Sequence, residues 1–117
     1  MSVDKIIKLL DSIDDVLESY VLKTEIEMYL DFDDFNPEIK VKIYKTSTHD
    51  DNPYKFSVSH HARTPIQAAP YFPSTIFFSS EEEAIKGAIS STTRYIKMAI
   101  SEGHEPEDEW LVLNDQF

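Results

Sequence analysis

Residues 79–110 read SSEEEAIKGAISSTTRYIKMAISEGHEPEDEW, and this stretch decides how the rest of the chain must fold. Two overlapping capping boxes open it, Ser79 with Glu82 and Ser80 with Glu83. In such a box a hydroxyl and a carboxylate satisfy backbone donors that a helix start leaves free. Apolar or small residues then recur at steps of three and four: Ala84, Ile85, Ala88, Ile89, Thr92, Tyr95, Ile96, Ala99 and Ile100. The pattern predicts an amphipathic helix of about five turns that must bury this stripe.

This helix has a clear end and one unusual interior residue. Gly103 favours the left-handed conformation that follows a last turn, and Pro106 cannot continue a helix. Gly87 lies in the helix interior, where glycine costs about 1 kcal/mol relative to alanine. We therefore expect the helix to pack closely on its neighbour at Gly87.

Length and composition are those of a small globular protein. The 117 residues suffice for one domain, 1–117, and the lack of cysteine indicates a reducing compartment, with the cytoplasm as the expected location. No stretch predicts a signal peptide or a membrane span. The 22 acidic and 11 basic residues give a net charge of −11. Such a charge repels nucleic-acid phosphates, so we expect no direct nucleic-acid binding and favour a basic protein partner.

The first twenty or so residues predict another amphipathic helix, with Ser2 as its N-cap. Its apolar positions follow helical spacing over about five turns. They are Ile6, Leu9, Leu10, Ile13, Val16, Leu17 and Tyr20. Four acids align on another face of this helix: Asp11, Asp14, Asp15 and Glu18.

Between the two helices the apolar period changes to two, which is typical of half-buried strands. The predicted segments are strands at 24–32, 39–45 and 54–60, a turn at 33–37, an extended proline-rich loop at 61–73, a short strand or packed extended piece at 75–78 and a packed apolar tail at 110–113. Lysines of the second strand are expected opposite acids of the first, where cross-strand ion pairs would help to fix the register.

The predicted fold class is α+β, a three- to four-stranded antiparallel meander with both amphipathic helices packed on one face. The residues expected in the core are Ile6, Leu10, Ile13, Leu17, Met28, Leu30, Val41, Ile43, Phe56, Val58, Ile85, Ile89 and Ile96.

The chain carries no recognisable catalytic motif. Its four histidines match no metal-ligand spacing, since the adjacent His60 and His61 point to opposite faces of an extended chain. With only two glycines there is no glycine-rich phosphate loop. We therefore predict a protein that is not an enzyme and that has no catalytic residues, no cofactor and no metal site.

Two surfaces are candidates for partner binding. The first is acidic and comprises Asp11, Asp14, Asp15, Glu18, Asp31, Asp33 and Asp34. The second is an aromatic patch of Tyr71, Phe72 and Trp110, because large aromatic side chains are frequent at binding surfaces.

The stretch from Ser79 to Pro106 resembles the antitoxin domain of the HicB family. The matching residues are Ser80, Glu82, Glu83, Ala84, Ile85, Ala88, Tyr95, Ile96, Glu102, Gly103 and Pro106. The resemblance covers about a quarter of the chain, which lacks the initial strand, the glycines of the preceding turn and the DNA-binding region of that family. It implies a small α+β module that binds a basic RNA-cleaving toxin.

The leading hypothesis is a non-catalytic acidic protein that neutralises a basic protein partner, like an antitoxin or inhibitor. One alternative is a phage-type DNA mimic whose carboxylates occupy a nucleic-acid-binding site. Another is a small soluble domain with a structural role. The sequence leaves homo-oligomerisation open.

Overall fold

Alternating apolar and polar side chains build the antiparallel sheet at the centre of the fold. The computed structural model describes residues 1–117. In chain order its elements are α1 (Val3–Asp11), β1 (Tyr20–Tyr29), β2 (Glu38–Thr46), β3 (Tyr54–Val58), β4 (His60–Ala62), β5 (Phe77–Phe78), α2 (Glu81–Ser101), a 3-10 helix (Asp108–Trp110) and β6 (Leu111–Leu113).

The main sheet has the order β1-β2-β3-β5, and each strand is antiparallel to its neighbour. The predicted α+β class is therefore confirmed, with four strands in the meander. Ile26 lies opposite Val41, which lies opposite Val58, so the apolar sets of three strands share one face. The register shifts between Leu22 and Thr24, which leaves Lys23 as a bulge in β1.

Helix α2 packs its small residues on this apolar face. Ser80 is the N-cap, and its Oγ accepts a hydrogen bond from the Glu83 backbone N at 3.1 Å. Ala84 and Ala88 are fully buried in a cluster with residues of β2 and β3. A Cβ atom added to Gly87 would lie 2.5 Å from Cζ of Phe78. The close approach expected at Gly87 is thus a contact between the helix backbone and an aromatic ring of β5.

A second cluster forms where α2 ends. Ala62, Ile96, Ala99 and Trp110 are buried together, and Phe32 of the β1–β2 turn packs against them. Strand β6 pairs antiparallel with β4 in a separate two-stranded sheet, which the sequence analysis did not predict.

Ser59 explains why the predicted third strand divides into β3 and β4. The Lys40 backbone N donates to Ser59 Oγ at 2.8 Å, and Ser59 N donates to the Lys40 carbonyl at 2.9 Å. The Ser59 carbonyl accepts from Asn114 N at 2.8 Å. Ser59 therefore ends the pairing with β2 and begins the pairing with the C-terminal segment.

The prediction for the first helix was wrong in its length. Ser2 is the N-cap, and its Oγ accepts from Lys5 N at 3.2 Å, but the helix ends at Asp11. Ser12 Oγ donates to the Leu9 carbonyl at 2.6 Å, and the chain is irregular until β1 begins at Tyr20. Acids near a helix C-terminus oppose the helix dipole, which disfavours continuation through 14–18.

Two residues of the predicted core are exposed because the helix stops short of them. Ile13 is 40% exposed and Leu17 is 96% exposed, whereas the only buried residue of α1 is Ile7. The other predicted core residues are buried or half-buried. Asp4 of α1 forms an ion pair with Lys45, which alternates onto the same face of β2 as Ile43. Both helices therefore lie on one face of the sheet.

Candidate binding surfaces

All seven acids of the predicted acidic surface are exposed. The ion pairs of the structure are Lys23–Glu81, Lys45–Asp4 and Lys86–Glu82. None of them involves the seven acids, whose carboxylates are therefore free of lysine and arginine partners.

The structure divides these acids into two groups at opposite ends of β1. The α1 group, Asp11, Asp14, Asp15 and Glu18, comprises the last residue of α1 and acids of the irregular segment after it. The turn group is Asp31, Asp33 and Asp34. Strand β1 has 10 residues between them, and at a rise of about 3.3 Å per residue it spans roughly 33 Å. The seven acids therefore do not form one continuous surface.

The turn group projects from a tight, aromatic-anchored turn. Phe32 and Phe35 exchange backbone hydrogen bonds at 3.0 and 3.2 Å, and their rings stack with centroids 6.2 Å apart. Between them Asp33 has a φ of 59°, a left-handed conformation that aspartate tolerates better than most residues. Its backbone N donates to Asp31 Oδ1 at 3.2 Å. The turn thus holds its carboxylates outward while both phenylalanines face the protein.

The fold brings a third set of acids to the turn group. Asp33 and Asp34 line a cleft with His104 and Glu105, which follow α2. We call the turn group, together with the exposed acids of the segment after α2, the acidic end. The acids of that segment are Glu102, Glu105, Glu107, Asp108 and Glu109, of which Glu105 lines the cleft.

The acidic end contains no compensating lysine or arginine from its own segments. Neither residues 24–37 nor residues 98–117 include a basic residue other than His104. Sequence reasoning identified the turn group but did not join it to the acids after α2, because the packing of Phe32 near Trp110 is a long-range contact. One signal in the sequence points to the acidic end, namely the complete absence of lysine and arginine from both segments.

The outer face of the sheet carries charges of both signs. Glu25 lies opposite Lys42 and Glu27 opposite Lys40, as the predicted cross-strand arrangement requires, although neither pair is among the ion pairs of the structure. A hydrogen bond to Glu38 and the charge of that carboxylate raise the pKa of Glu27. The pKa of Glu38 is lowered because Glu27 and Tyr29 donate hydrogen bonds to it. Of these two carboxyls, Glu27 is therefore the one that takes up a proton first as the pH falls.

The predicted aromatic patch is not a continuous surface. Trp110 is only 4% exposed, so it belongs to the core, because its ring fills the space between α2 and β4. Tyr71 is half-buried, with its ring 5.0 Å from that of Tyr95. Phe72 remains 67% exposed and lies 4.4 Å from the His61 ring. Only Phe72 presents most of its side chain to solvent.

Two of the histidines pack against polar or aromatic neighbours in the fold. His60 Nδ1 is 2.8 Å from Ser59 Oγ, and the His49 ring stacks on Phe77 at 3.9 Å. No group of three or more histidine, aspartate or glutamate side chains is arranged to hold a metal ion.

Neither helix combines the length and the apolar composition that crossing a bilayer demands.

Comparison with protein-family models, with curated proteins and with solved structures gives no match for this chain. The resemblance of residues 79–106 to the HicB antitoxin domain therefore stays a prediction.

Proposed function

We propose that this chain is a non-catalytic acidic binding protein that neutralises a basic protein partner, as an antitoxin or inhibitor does, in a reducing compartment such as the cytoplasm. The observation that carries this proposal is the acidic end. Its carboxylates are exposed, come from two distant segments of the chain, and have no lysine or arginine among them.

The shape of the molecule makes this charge directional. The principal extents are 54 × 25 × 24 Å, and the turn group lies at the far end of β1 from α1. The acidic end carries eight exposed acids and the α1 group four, and the larger cluster of carboxylates attracts and orients a cationic surface before contact. The Phe32 and Phe35 side chains are half-buried, and Phe32 packs against the second cluster, which holds the turn in place, so the partner meets a preorganised surface.

The HicB resemblance gives the proposed partner a chemical class. Glu102, Gly103 and Pro106 are among the residues that carry the resemblance, and they lie in or beside the acidic end. An RNA-cleaving enzyme presents a basic surface to its substrate, and an acidic protein can cover that surface. The proposed partner is therefore a basic nuclease-like protein, and binding would block its nucleic-acid site.

The DNA-mimic alternative has less support from the geometry. A mimic needs carboxylates that continue along a surface like phosphates along a strand. Here the two acidic groups are separated by the length of β1, and the glutamates between them face Lys40 and Lys42.

The test is co-purification from the source cells, followed by mass spectrometry and measurement of affinity for the recovered partner. The double variant Asp33→Asn, Asp34→Asn removes charge from the acidic end, and asparagine tolerates the left-handed Asp33 conformation. The matched control Asp14→Asn, Asp15→Asn removes the same charge from the α1 group. We expect about tenfold weaker binding for the first variant and little change for the control.

The outcomes separate the three hypotheses. Equal losses in both variants, with steep salt dependence, would favour the mimic. Recovery of only acidic or neutral partners would remove the basis of the proposal. If no partner is recovered and deletion of the protein is without effect on nuclease activity in the cell, the structural role remains.

A further inference from the structure

Strand β1 is a long edge strand with one unpaired side. It is the first strand of the sheet, its 10 residues pair only with β2, and its other side meets no strand. No residue from 21 to 29 makes a backbone hydrogen bond outside the β1–β2 ladder. An exposed strand edge is a template for the addition of another strand.

The hydrogen-bond pattern identifies the groups that face outward. Leu30 N donates to the Pro37 carbonyl at 2.9 Å, so this pair is a hydrogen-bonded pair of the ladder. Hydrogen-bonded and non-bonded pairs alternate in an antiparallel ladder. Residues 24, 26 and 28 therefore direct their backbone groups toward β2. The backbone N–H and C=O groups of Glu25, Glu27 and Tyr29 point to the unpaired side.

The two faces beside this edge differ in chemistry. On the inner face Ile26 and Met28 are half-buried, because α2 lies over β2, β3 and β4 and meets β1 chiefly through Glu81 at its first turn. On the outer face Glu25 and Glu27 are exposed, with lysines on their β2 side only. An added strand would therefore meet apolar side chains on one face and carboxylates on the other.

We infer that β1 binds an extended segment of the partner by antiparallel strand addition at residues 24–29. The segment would alternate lysine or arginine, placed opposite Glu25 and Glu27, with apolar residues that cover Ile26 and Met28. The bulge at Lys23 sets the limit of this site, because it interrupts the regular edge. This inference rests on the proposed function, since it assigns the contact strand of a basic partner.

A second copy of the chain is a poor occupant of the same edge. Two-fold antiparallel pairing of β1 with itself, centred on residue 27 or 26 in the middle of this site, places Glu27 opposite Glu27 or Glu25 opposite Glu27 twice. Like charges directly opposite in a strand pair are destabilising. The outer-face charge therefore selects a basic strand and disfavours self-association.

The test uses the full chain and synthetic peptides of alternating lysine and valine. A block peptide of the same composition, with all lysines first, controls for charge. A third peptide with N-methyl groups on alternate residues, placed to remove the backbone donors that face β1, keeps the charge and the side chains. We expect the alternating peptide to bind at least about tenfold more tightly than the other two. Amide exchange should slow at Glu25, Glu27 and Tyr29.

The protein variants give an independent check on the edge. Glu27→Pro removes an outward N–H but no bond to β2, so it should abolish strand addition; Glu27→Gln removes the charge alone and should weaken binding only partly. Circular dichroism and the β2 amide shifts check that Glu27→Pro is folded. If Glu27→Pro does not fold, the three peptides measured on the native protein still test the inference.

The results also distinguish this inference from the proposed function. If all three peptides bind alike and shift resonances of Asp33, Asp34 and Glu105, the partner is basic but strand addition is wrong. If no basic peptide binds even at low salt, the proposed function fails as well. Protection of the β1 edge by self-association of the free protein would assign the edge to a second copy and overturn the inference.

Discussion

Helices α1 and α2 come from similar sequence patterns and have opposite outcomes. Each begins with a capping serine and carries an apolar stripe at helical spacing. Helix α2 runs for 21 residues and buries seven of them, whereas α1 runs for nine and buries only Ile7. An amphipathic pattern thus predicts where a helix can form, but burial depends on whether a complementary surface is available.

The surfaces under the two helices explain the difference. Beneath α2 the sheet presents Val41, Ile43 and Phe56, which are at most 3% exposed. Helix α1 lies at the other end of the sheet, where it contacts β1 and β2. Its main polar contact is the Asp4–Lys45 ion pair, 3.3 Å long, at a partly exposed position where such pairs contribute about 0–1 kcal/mol. Most side chains between α1 and β1 therefore remain in solvent, and Ser19 is the one buried residue among them.

The largest expected effect contrasts one apolar residue from each region. Ile96→Asp places an unpaired charge at a position with no solvent exposure, so we expect a loss of at least about 4 kcal/mol in the free energy of unfolding. Leu17→Asp, at a 96% exposed position, should change it by less than about 0.5 kcal/mol. Denaturant unfolding followed by circular dichroism measures both. Similar losses would mean that residues 12–19 are packed in solution.

A smaller effect probes the closest contact of α2. Gly87→Ala gains about 1 kcal/mol of helix propensity. Its methyl group, however, meets the Phe78 ring at 2.5 Å, and such overpacking typically costs about 1–3 kcal/mol. We expect a net destabilisation of about 1 kcal/mol in the unfolding free energy.

Removal of the ring supplies the control for Gly87→Ala. In a Phe78→Leu background the added methyl group has more room, so the same substitution should be neutral or stabilising. An identical cost in both backgrounds would show that the Phe78 contact is not its cause.

The smallest effect is a pH dependence confined to the packed region. Burial lowers the pKa of both His60 and His61 below the usual value of 6.5. Well above pH 6.5 both imidazoles are neutral in the folded and in the unfolded chain, so their titration does not change stability there. As the pH falls below 6.5, the unfolded chain takes up protons that the folded chain resists, and stability declines toward the lowered folded pKa.

The α1 contact should not share this dependence. Burial disfavours the charged form of Lys45, but hydrogen bonds to Tyr54 and Asp4 leave its pKa raised, so it stays charged throughout the acid range. Protection factors for amide hydrogen exchange, which are corrected for the intrinsic pH dependence of the exchange reaction, should therefore fall in β4 and not in α1 between about pH 7.5 and 5.5. An equal fall in both elements would contradict the assignment to His60 and His61.

Local rules were reliable where one element carried enough signals of its own. The helix predicted between the Ser79 or Ser80 cap and the Gly103 stop corresponds to α2, Glu81–Ser101, because the cap and the stop are local features. The strand periods were also sufficient to predict the meander. The first strand was predicted at Thr24 and begins at Tyr20, since the continued helical spacing of apolar residues through 20 obscured the change of period.

The candidate surfaces were only partly predictable for the same reason. That Asp31, Asp33 and Asp34 are exposed follows from the cost of burying unpaired carboxylates. That Trp110 is buried does not follow from its acidic neighbours, because its partners Ala62 and Ile96 are distant in the chain.

By itself, the sequence determined the period of each segment, the caps of α2, the net charge of −11 and the exposure of most acids. Each of these depends on a residue and its near neighbours, or on composition. Only the tertiary structure decided that α1 ends at Asp11, that β6 pairs with β4, and that the turn and the segment after α2 form one acidic end. These features depend on which surfaces meet across the fold, and a local pattern holds no information about the position of a distant partner.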